Sequence, residues 1–300
     1  QTRVYGDADP SLTYAITGGS LVFSDALTGG LTHDAGENVG SYAINQGTLT
    51  AGDNYTISYV GSNLVITPRA LEITADGQSR IYGDLDPSLT YTISNGSLAF
   101  ADTLSGALTR DAGENVGSYA ITQGSLTAGS NYTVSYIGAN LVITPRALQI
   151  TADGQTRVYG DADPALTYAI TGGSLAFSDT LSGALVRDAG ENVGSYAINQ
   201  GSLTAGANYT ISYIGDSLVI TPRALQITAD GQTRIYGDAD PSLTYAITGG
   251  SLAFTDALSG SLTRDAGENV GSYAINQGSL TGGGNYTISY IGANLVITPR

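Results

Sequence analysis

Apolar and polar residues alternate along this chain in short runs. Leu89, Tyr91 and Ile93 alternate with Thr90 and Thr92, and Tyr132, Val134 and Tyr136 alternate with Thr133 and Ser135. Tyr119 and Ile121 likewise face away from Ala120 and Thr122. Side chains on a strand point to opposite faces in turn, so this alternation predicts half-buried β-strands. Turn-forming residues separate the runs: Asp76-Gly77, Gly83-Asp84-Leu85-Asp86-Pro87, Asn95-Gly96, Asp111-Ala112-Gly113-Glu114-Asn115 and Gly138-Ala139-Asn140. Glycine admits positive φ, and Pro87 pushes Asp86 into the extended region. Leu98 and Phe100 are expected to share a face, and residues 102–106 have room for one helical turn and nothing longer. The pattern predicts about seven short strands with turns every ~8–12 residues and no amphipathic helix. An all-β sandwich or small open barrel follows. A β-grasp-like unit, with the turn at Asp102 as a degenerate helix, is the alternative.

One stretch organises the rest. Residues 141–154 read Leu-Val-Ile-Thr-Pro-Arg-Ala-Leu-Gln-Ile-Thr-Ala-Asp-Gly, with near-identical versions at 64–77 and 218–231, and the chain stops inside a fourth at Arg300. The stretch is aliphatic and β-branched and predicts two short strands meeting at a Pro-Arg hinge. Leu141 and Ile143 are odd-numbered whereas Leu148 and Ile150 are even. A continuous extended chain therefore turns its apolar side over at the hinge, as expected where it leaves one core and joins the next.

Tyr5-Gly6, Tyr82-Gly83, Tyr159-Gly160 and Tyr236-Gly237 are each 77 residues apart. A unit of that size is large enough to hold its own core, unlike a solenoid repeat, so four tandem domains are the first reading and a continuous solenoid the second. The expected organisation is repeat 1 over residues 1–69, repeat 2 over 70–146, repeat 3 over 147–223 and repeat 4 over 224–300. The Pro-Arg links are not flexible tethers. With ~30–40 Å per unit, the array is expected to form an elongated rod of roughly 120–160 Å. Residues 70–77 form a lead strand, copied at 147–154 and 224–231, each followed by a Tyr-Gly-Asp. The first Tyr-Gly-Asp has only Gln1 to Val4 before it, so repeat 1 is expected to lack its lead strand. An apolar slot flanked by unpaired backbone is a template for strand addition, by a preceding segment or by another copy of the chain.

Composition narrows the class. With 41% hydrophobic residues the chain is not of the disordered type. The formal net charge is −15 and all 11 basic residues are arginine, which argues against nucleic acid or an anionic membrane as partner. There is no cysteine for a disulfide and no lysine for a Lys-Asn isopeptide crosslink. No apolar run reaches membrane-spanning length. No signal peptide is visible, and a chain opening on Gln1 reads as an internal stretch of a longer protein.

The unit resembles the MBG (mostly beta, glycine-rich) domain of YGX type. The resemblance rests on Tyr82-Gly83-Asp84-Leu85-Asp86-Pro87, on residues 111–121 (Asp-Ala-Gly-Glu-Asn-Val-Gly-Ser-Tyr-Ala-Ile), on Asn131-Tyr132-Thr133 and on the Leu-Val-Ile-Thr-Pro-Arg ending, and all copies carry it. It implies tandem domains of large bacterial surface or secreted proteins of adhesin type, with an architectural role and no catalytic residues to transfer.

Candidate chemistry is sparse. His33 is the only histidine, and arginine stands at the matching positions 110, 187 and 264, so a solvated surface position is expected. Structural zinc and a Ser/His/Asp set lack residues. Asp84, Asp86, Asp111 and Glu114 are the calcium candidates, since calcium takes six to eight oxygen ligands from such loops. Against this, aspartate suits turns, no known calcium-loop pattern is present, and Arg80 and Arg110 are placed to pair with these carboxylates. The tyrosines suggest stacking on sugars, but Tyr91, Tyr119, Tyr132 and Tyr136 fall on inward strand positions and read as core. Asn54-Tyr55-Thr56 matches the N-glycosylation pattern and reads more plainly as a strand start. The expected function is a non-enzymatic stalk or fibre shaft of an extracellular bacterial adhesin or biofilm filament. The alternative is an array of weak carbohydrate- or protein-binding repeats acting through avidity on a host or matrix partner.

Overall fold

All 300 residues are described by a computed structural model. The chain is all-β, its only helical piece being a single 3₁₀ turn at Gly283–Asn285. It divides into two compact units, Gln1–Pro145 and Arg146–Arg300. The first unit contains β1 (Thr2–Val4), β2 (Thr32–His33), β3 (Gly40–Asn45), β4 (Ser62–Thr67), β5 (Arg69–Ala75), β6 (Gln78–Ile81), β7 (Tyr91–Asn95), β8 (Thr109–Arg110), β9 (Gly117–Thr122), β10 (Tyr132–Ile137) and β11 (Ala139–Thr144).

Repeat 2 shows the complete plan. A three-stranded sheet of order β10-β5-β7 accompanies a four-stranded sheet of order β6-β11-β9-β8. The lead strand β5 is the centre of the smaller sheet. It runs parallel to β10, with Leu71 opposite Val134 and Ile73 opposite Tyr136. It runs antiparallel to β7, with Ile73 opposite Ile93 and a register shift after Glu72. Ile73 and Ala75 of β5 close onto Leu108, Ile121, Leu126 and Leu141 to form the core between the sheets. Tyr91, Val134 and Tyr136 pack against it. The alternation of the sequence is thus the in-and-out alternation of a sandwich.

The β-grasp alternative is not realised, because residues 102–106 form no helix. Nor do Leu98 and Phe100 share a strand face. Phe100 has φ 53° and its ring is largely exposed. A left-handed residue reverses the chain and ends the alternation.

The crossing at Pro68 refines the parity argument. Leu64 and Ile66 of β4 and Leu71 and Ile73 of β5 are all buried. Yet Ile66 and Leu71 lie in one shared cluster with Tyr5 and Tyr132. The two repeats of this unit are therefore bridged by a second apolar cluster.

Repeat 1 has only the four-stranded sheet, of order β1-β4-β3-β2. Residues 14–18 and 55–60, which correspond to β7 and β10, form no strands here. In the second unit both repeats have the complete plan. Arg146–Ala152 and Arg223–Ala229 are the central strands of their three-stranded sheets.

Candidate functional site

The Tyr-Gly-Asp motif builds a joint between repeats. In the first unit Tyr5 is buried, and its hydroxyl donates to Asp102 Oδ2 at 2.9 Å. The Tyr132 hydroxyl donates to the same oxygen at 2.7 Å and accepts the Ala99 N–H at 2.8 Å. Burial pushes both phenols above their usual range, and the Asp102 carboxylate adds to the effect. Both hydroxyls therefore stay protonated, as donors to a carboxylate must.

Gly6 is required by close approach. Its φ is 84°, and a Cβ there would sit 2.4 Å from the Ala99 Cβ. Asp7 forms an ion pair with Arg69 of the Pro-Arg link. The Arg69 Nε donates to the Tyr5 carbonyl at 2.7 Å. All three residues of the motif thus engage the link or the next repeat. Asn131 adds two bonds: its Oδ1 accepts the Val39 N–H at 3.0 Å and its Nδ2 donates to Asn38 Oδ1 at 2.9 Å. The asparagine of this Asn-Tyr-Thr triplet is therefore engaged at both ends. The exposed Phe100 ring stands edge-on to Tyr5 at 5.5 Å. The second unit repeats the arrangement with Tyr159 and Tyr286 on Asp256, Arg223 on Asp161, and Asn285 on Val193 and Asn192.

A second constellation lies within each repeat. Arg80 Nε and Nη2 reach Asp86 Oδ1 at 2.6 Å and Glu114 Oε2 at 2.5 Å. Arg110 Nε and Nη2 reach the other oxygens of the same pair, Asp86 Oδ2 at 2.6 Å and Glu114 Oε1 at 2.9 Å. The result is a closed ring of two guanidiniums and two carboxylates. Arg110 also donates to the Asp111 and Gly113 carbonyls and lies 5.4 Å from the Tyr119 ring centroid. Gly113, with φ 149°, leaves room for that ring: a Cβ there would fall 2.1 Å from Tyr119 Cε1. The hydrogen bond from Arg110, ahead of that from Arg80, holds the Asp86 carboxyl below its usual range.

In repeat 1 the ring is open. His33 stands in place of the second arginine, with Nε2 at 2.9 Å from Asp9 Oδ2 and Nδ1 at 2.6 Å from the Asp34 carbonyl. Arg3 bridges Asp9 and Glu37, while His33 has no bond to Glu37. His33 is therefore not the solvated position expected, for its side chain is 18% exposed and belongs to the ion cluster. Both ring nitrogens face acceptors, which suits the doubly protonated ring. The bond to Asp9, then that to the Asp34 carbonyl, pushes the imidazole above its usual value.

Of the four calcium candidates, the structure brings Asp86 and Glu114 together, around arginine. Asp84 and Asp111 do not join them: the Asp84 N–H closes a turn on Ile81 and the Asp111 N–H bonds the Ala120 carbonyl. Asp7 and Asp161, which correspond to Asp84, are the link-arginine partners. No group of three or more His, Cys, Asp or Glu side chains is arranged to hold a metal ion.

Fold and joint together define a tandem array of small β-sandwich repeats, the two repeats within each unit being joined through a Tyr-Gly-Asp contact. The model of the YGX-type MBG domain matches residues 1–65, 71–142, 148–219 and 225–296, and the chain belongs to that family. No curated protein matches it. Among solved structures it is similar to Drosophila N-cadherin EC1-4 at 9% identity and a TM-score of 0.20, covering 86% of this chain and 83% of that one. The I9-I11 tandem of titin gives 7% identity and a TM-score of 0.17, over 78% and 98% of the two chains. The protocadherin GammaB4 extracellular domain gives 8% and 0.19, over 92% and 60%.

Proposed function

We propose that these repeats are spacer modules of a bacterial extracellular surface protein or adhesin, holding another region of that protein at a distance from the cell, with no catalytic role. The observation that carries this reading is the use of the Tyr-Gly-Asp motif. In each unit its tyrosine, glycine and aspartate contact the link or the following repeat. Residues that recur in every copy thus serve connection between copies. The acidic surface, with a net charge of −15, suits an exposed module that resists non-specific association. The test is to compare arrays of one to four repeats by scattering and by binding to glycan and matrix-protein panels. A spacer adds an equal increment to the largest dimension with each repeat and shows no binding that grows with copy number. Binding that climbs steeply with copy number would instead favour multivalent recognition.

A further inference from the structure

Repeat 1 carries an apolar groove of about 810 Å³, with Leu31, Ile44 and Leu49 among its lining residues. Residues 13–18 form one wall and residues 55–60 the other. Shifted by the 77-residue period, these walls are β7 and β10 of repeat 2, between which β5 lies. The second unit repeats this twice. Arg146–Ala152 lies between Tyr168–Gly172 and Tyr209–Ile214, and Arg223–Ala229 lies between Tyr245–Gly249 and Tyr286–Ile291. The same groove is thus seen three times with its occupant in place. In each case the occupant has the sequence Arg-Ala-Leu-x-Ile-Thr-Ala.

We propose that the groove of repeat 1 is a docking site for a separate β-strand of this sequence, seated parallel to residues 55–60 and antiparallel to residues 14–18. The register follows from repeat 2. There Leu71 opposes Val134, Ile73 opposes both Tyr136 and Ile93, and Ala75 opposes Tyr91. In repeat 1 the strand's leucine opposes Ile57, its isoleucine opposes Tyr59 and Ile16, and its last alanine opposes Tyr14. Main-chain bonds on both edges supply affinity, and the alternating leucine and isoleucine supply specificity. A slip of one residue would turn the polar side chains onto Ile44 and Leu49.

The chain's own copies of the strand are not spare. Leu71, Ile73, Leu148, Ile150, Leu225 and Ile227 are at most 2% exposed. A second copy of these residues could donate one only by opening a core. The occupant is therefore a strand from outside the 300 residues described.

The experiment adds the peptide Ala-Leu-Gln-Ile-Thr-Ala-Asp-Gly, blocked at both ends, to the intact chain and follows amide exchange and binding heat. One peptide binds per chain. Exchange slows at Ile16, Ile57 and Tyr59 and is unchanged in repeats 2–4. A peptide with serine for its leucine and isoleucine binds at least ~10-fold more weakly, because it buries little apolar surface. Joining the same eight residues directly before Gln1 reproduces the spacing of β5 to β6 and raises the effective concentration to the millimolar range, roughly. In that form the protection appears without added peptide, and Ile57→Asp removes it while repeats 2–4 keep theirs. Absence of protection at Ile57 in both forms overturns the proposal, as does equal binding of the serine peptide. Concentration-dependent self-association of the chain alone that protects the same amides also overturns it, because the occupant is then a second copy.

Discussion

Repeats 1 and 2 have nearly the same sequence and differ in one strand. Repeat 2 has β5, and its core closes around Ile73 and Ala75 together with Leu108, Ile121, Leu126 and Leu141. Repeat 1 has the counterparts of the last four, Leu31, Ile44, Leu49 and Leu64, and no counterpart of β5. The consequence reaches beyond the missing contacts. Residues 14–18 and 55–60 are chemically capable of strand, since their copies form β7 and β10, yet they form none. Their side chains open out as well: Tyr14 is 48% and Ile16 52% exposed. A central strand is a partner for two neighbours, and without it neither neighbour has a ladder to join. Strand propensity in these segments is permission, and pairing is what realises it.

The sharpest way to break the comparison is to make repeat 2 resemble repeat 1. Ile73→Ala removes a fully buried side chain and is expected to cost about 2–5 kcal/mol. Amide protection in β7 and β10 should fall toward that of residues 14–18 and 55–60, while the second unit holds. If β7 and β10 keep their protection, β5 is not what organises them. Next in size is the joint. Gly6→Ala places a methyl against Ala99 and holds a left-handed conformation, which alone costs about 1–2 kcal/mol. The expected outcome is loss of the Tyr5 and Tyr132 hydroxyl bonds to Asp102, read as a downfield or exchange change in those phenol protons. The sandwich core of repeat 2 should stay intact. A variant whose phenol signals are unmoved would show that Gly6 is not pressed by Ala99.

The ion clusters give smaller effects with opposite pH dependence. Asp86, Asp163 and Asp240 are held below the usual carboxylate range, chiefly by Arg110, Arg187 and Arg264. Their contribution is complete above the unfolded value of about 3.9 and is lost as pH falls through the lower folded value. His33 is raised, so its contribution is complete below about 6.5 and is lost as pH rises through its higher folded value. Repeat 1 should therefore loosen slightly between pH 6 and 8, roughly, where repeats 2–4 do not change. Exchange measured at several pH values checks this, and His33→Arg should close the ring onto Glu37 and abolish the trend. The smallest expected effect is that of a chelator. Asp86 and Glu114 already hold two guanidiniums, so removing calcium should leave the melting temperature unchanged. A lowered melting temperature would assign calcium to these carboxylates.

Strand content and facing were legible because alternation is a local property. Tyr132, Val134 and Tyr136 do face inward, and Leu141 and Ile143 are buried as the parity requires. That repeat 1 has no counterpart of β5 among these residues was legible as well, because the copies could be laid side by side. The joint was not. Tyr5-Gly6-Asp7 looks like a loop, and Asp102 like part of a helical turn, because their partners lie 97 residues away in the Tyr5 to Asp102 bond. One signal was present: Phe23, Phe100, Phe177 and Phe254 recur in the midst of turn residues, all with φ between 51° and 57°. Of these, Phe100 and Phe254 stand edge-on to Tyr5 and Tyr159 of the preceding repeat, so the recurring phenylalanine pointed to the joint. His33 was misjudged for a related reason, since its partner Asp9 lies on another loop.

The parallel pairings have a mechanical consequence. Tension carried along the backbone enters repeat 2 at the start of β5 and leaves at the end of β11. The pulled strand β5 runs parallel to β10, which leads into β11, over six residue pairs from Tyr132 with Arg69 to Ile137 with Thr74, and β6, which follows β5, runs parallel to β11 over four, from Leu141 with Gln78 to Thr144 with Ile81. Two parallel strands drawn from opposite ends slide past each other; they do not peel apart. Their evenly spaced, slanted bonds then carry the load together. Each complete sandwich is thus loaded in shear and resists stretching until several bonds give way at once. With its groove empty, repeat 1 has only the four-stranded sheet to resist with and would yield first.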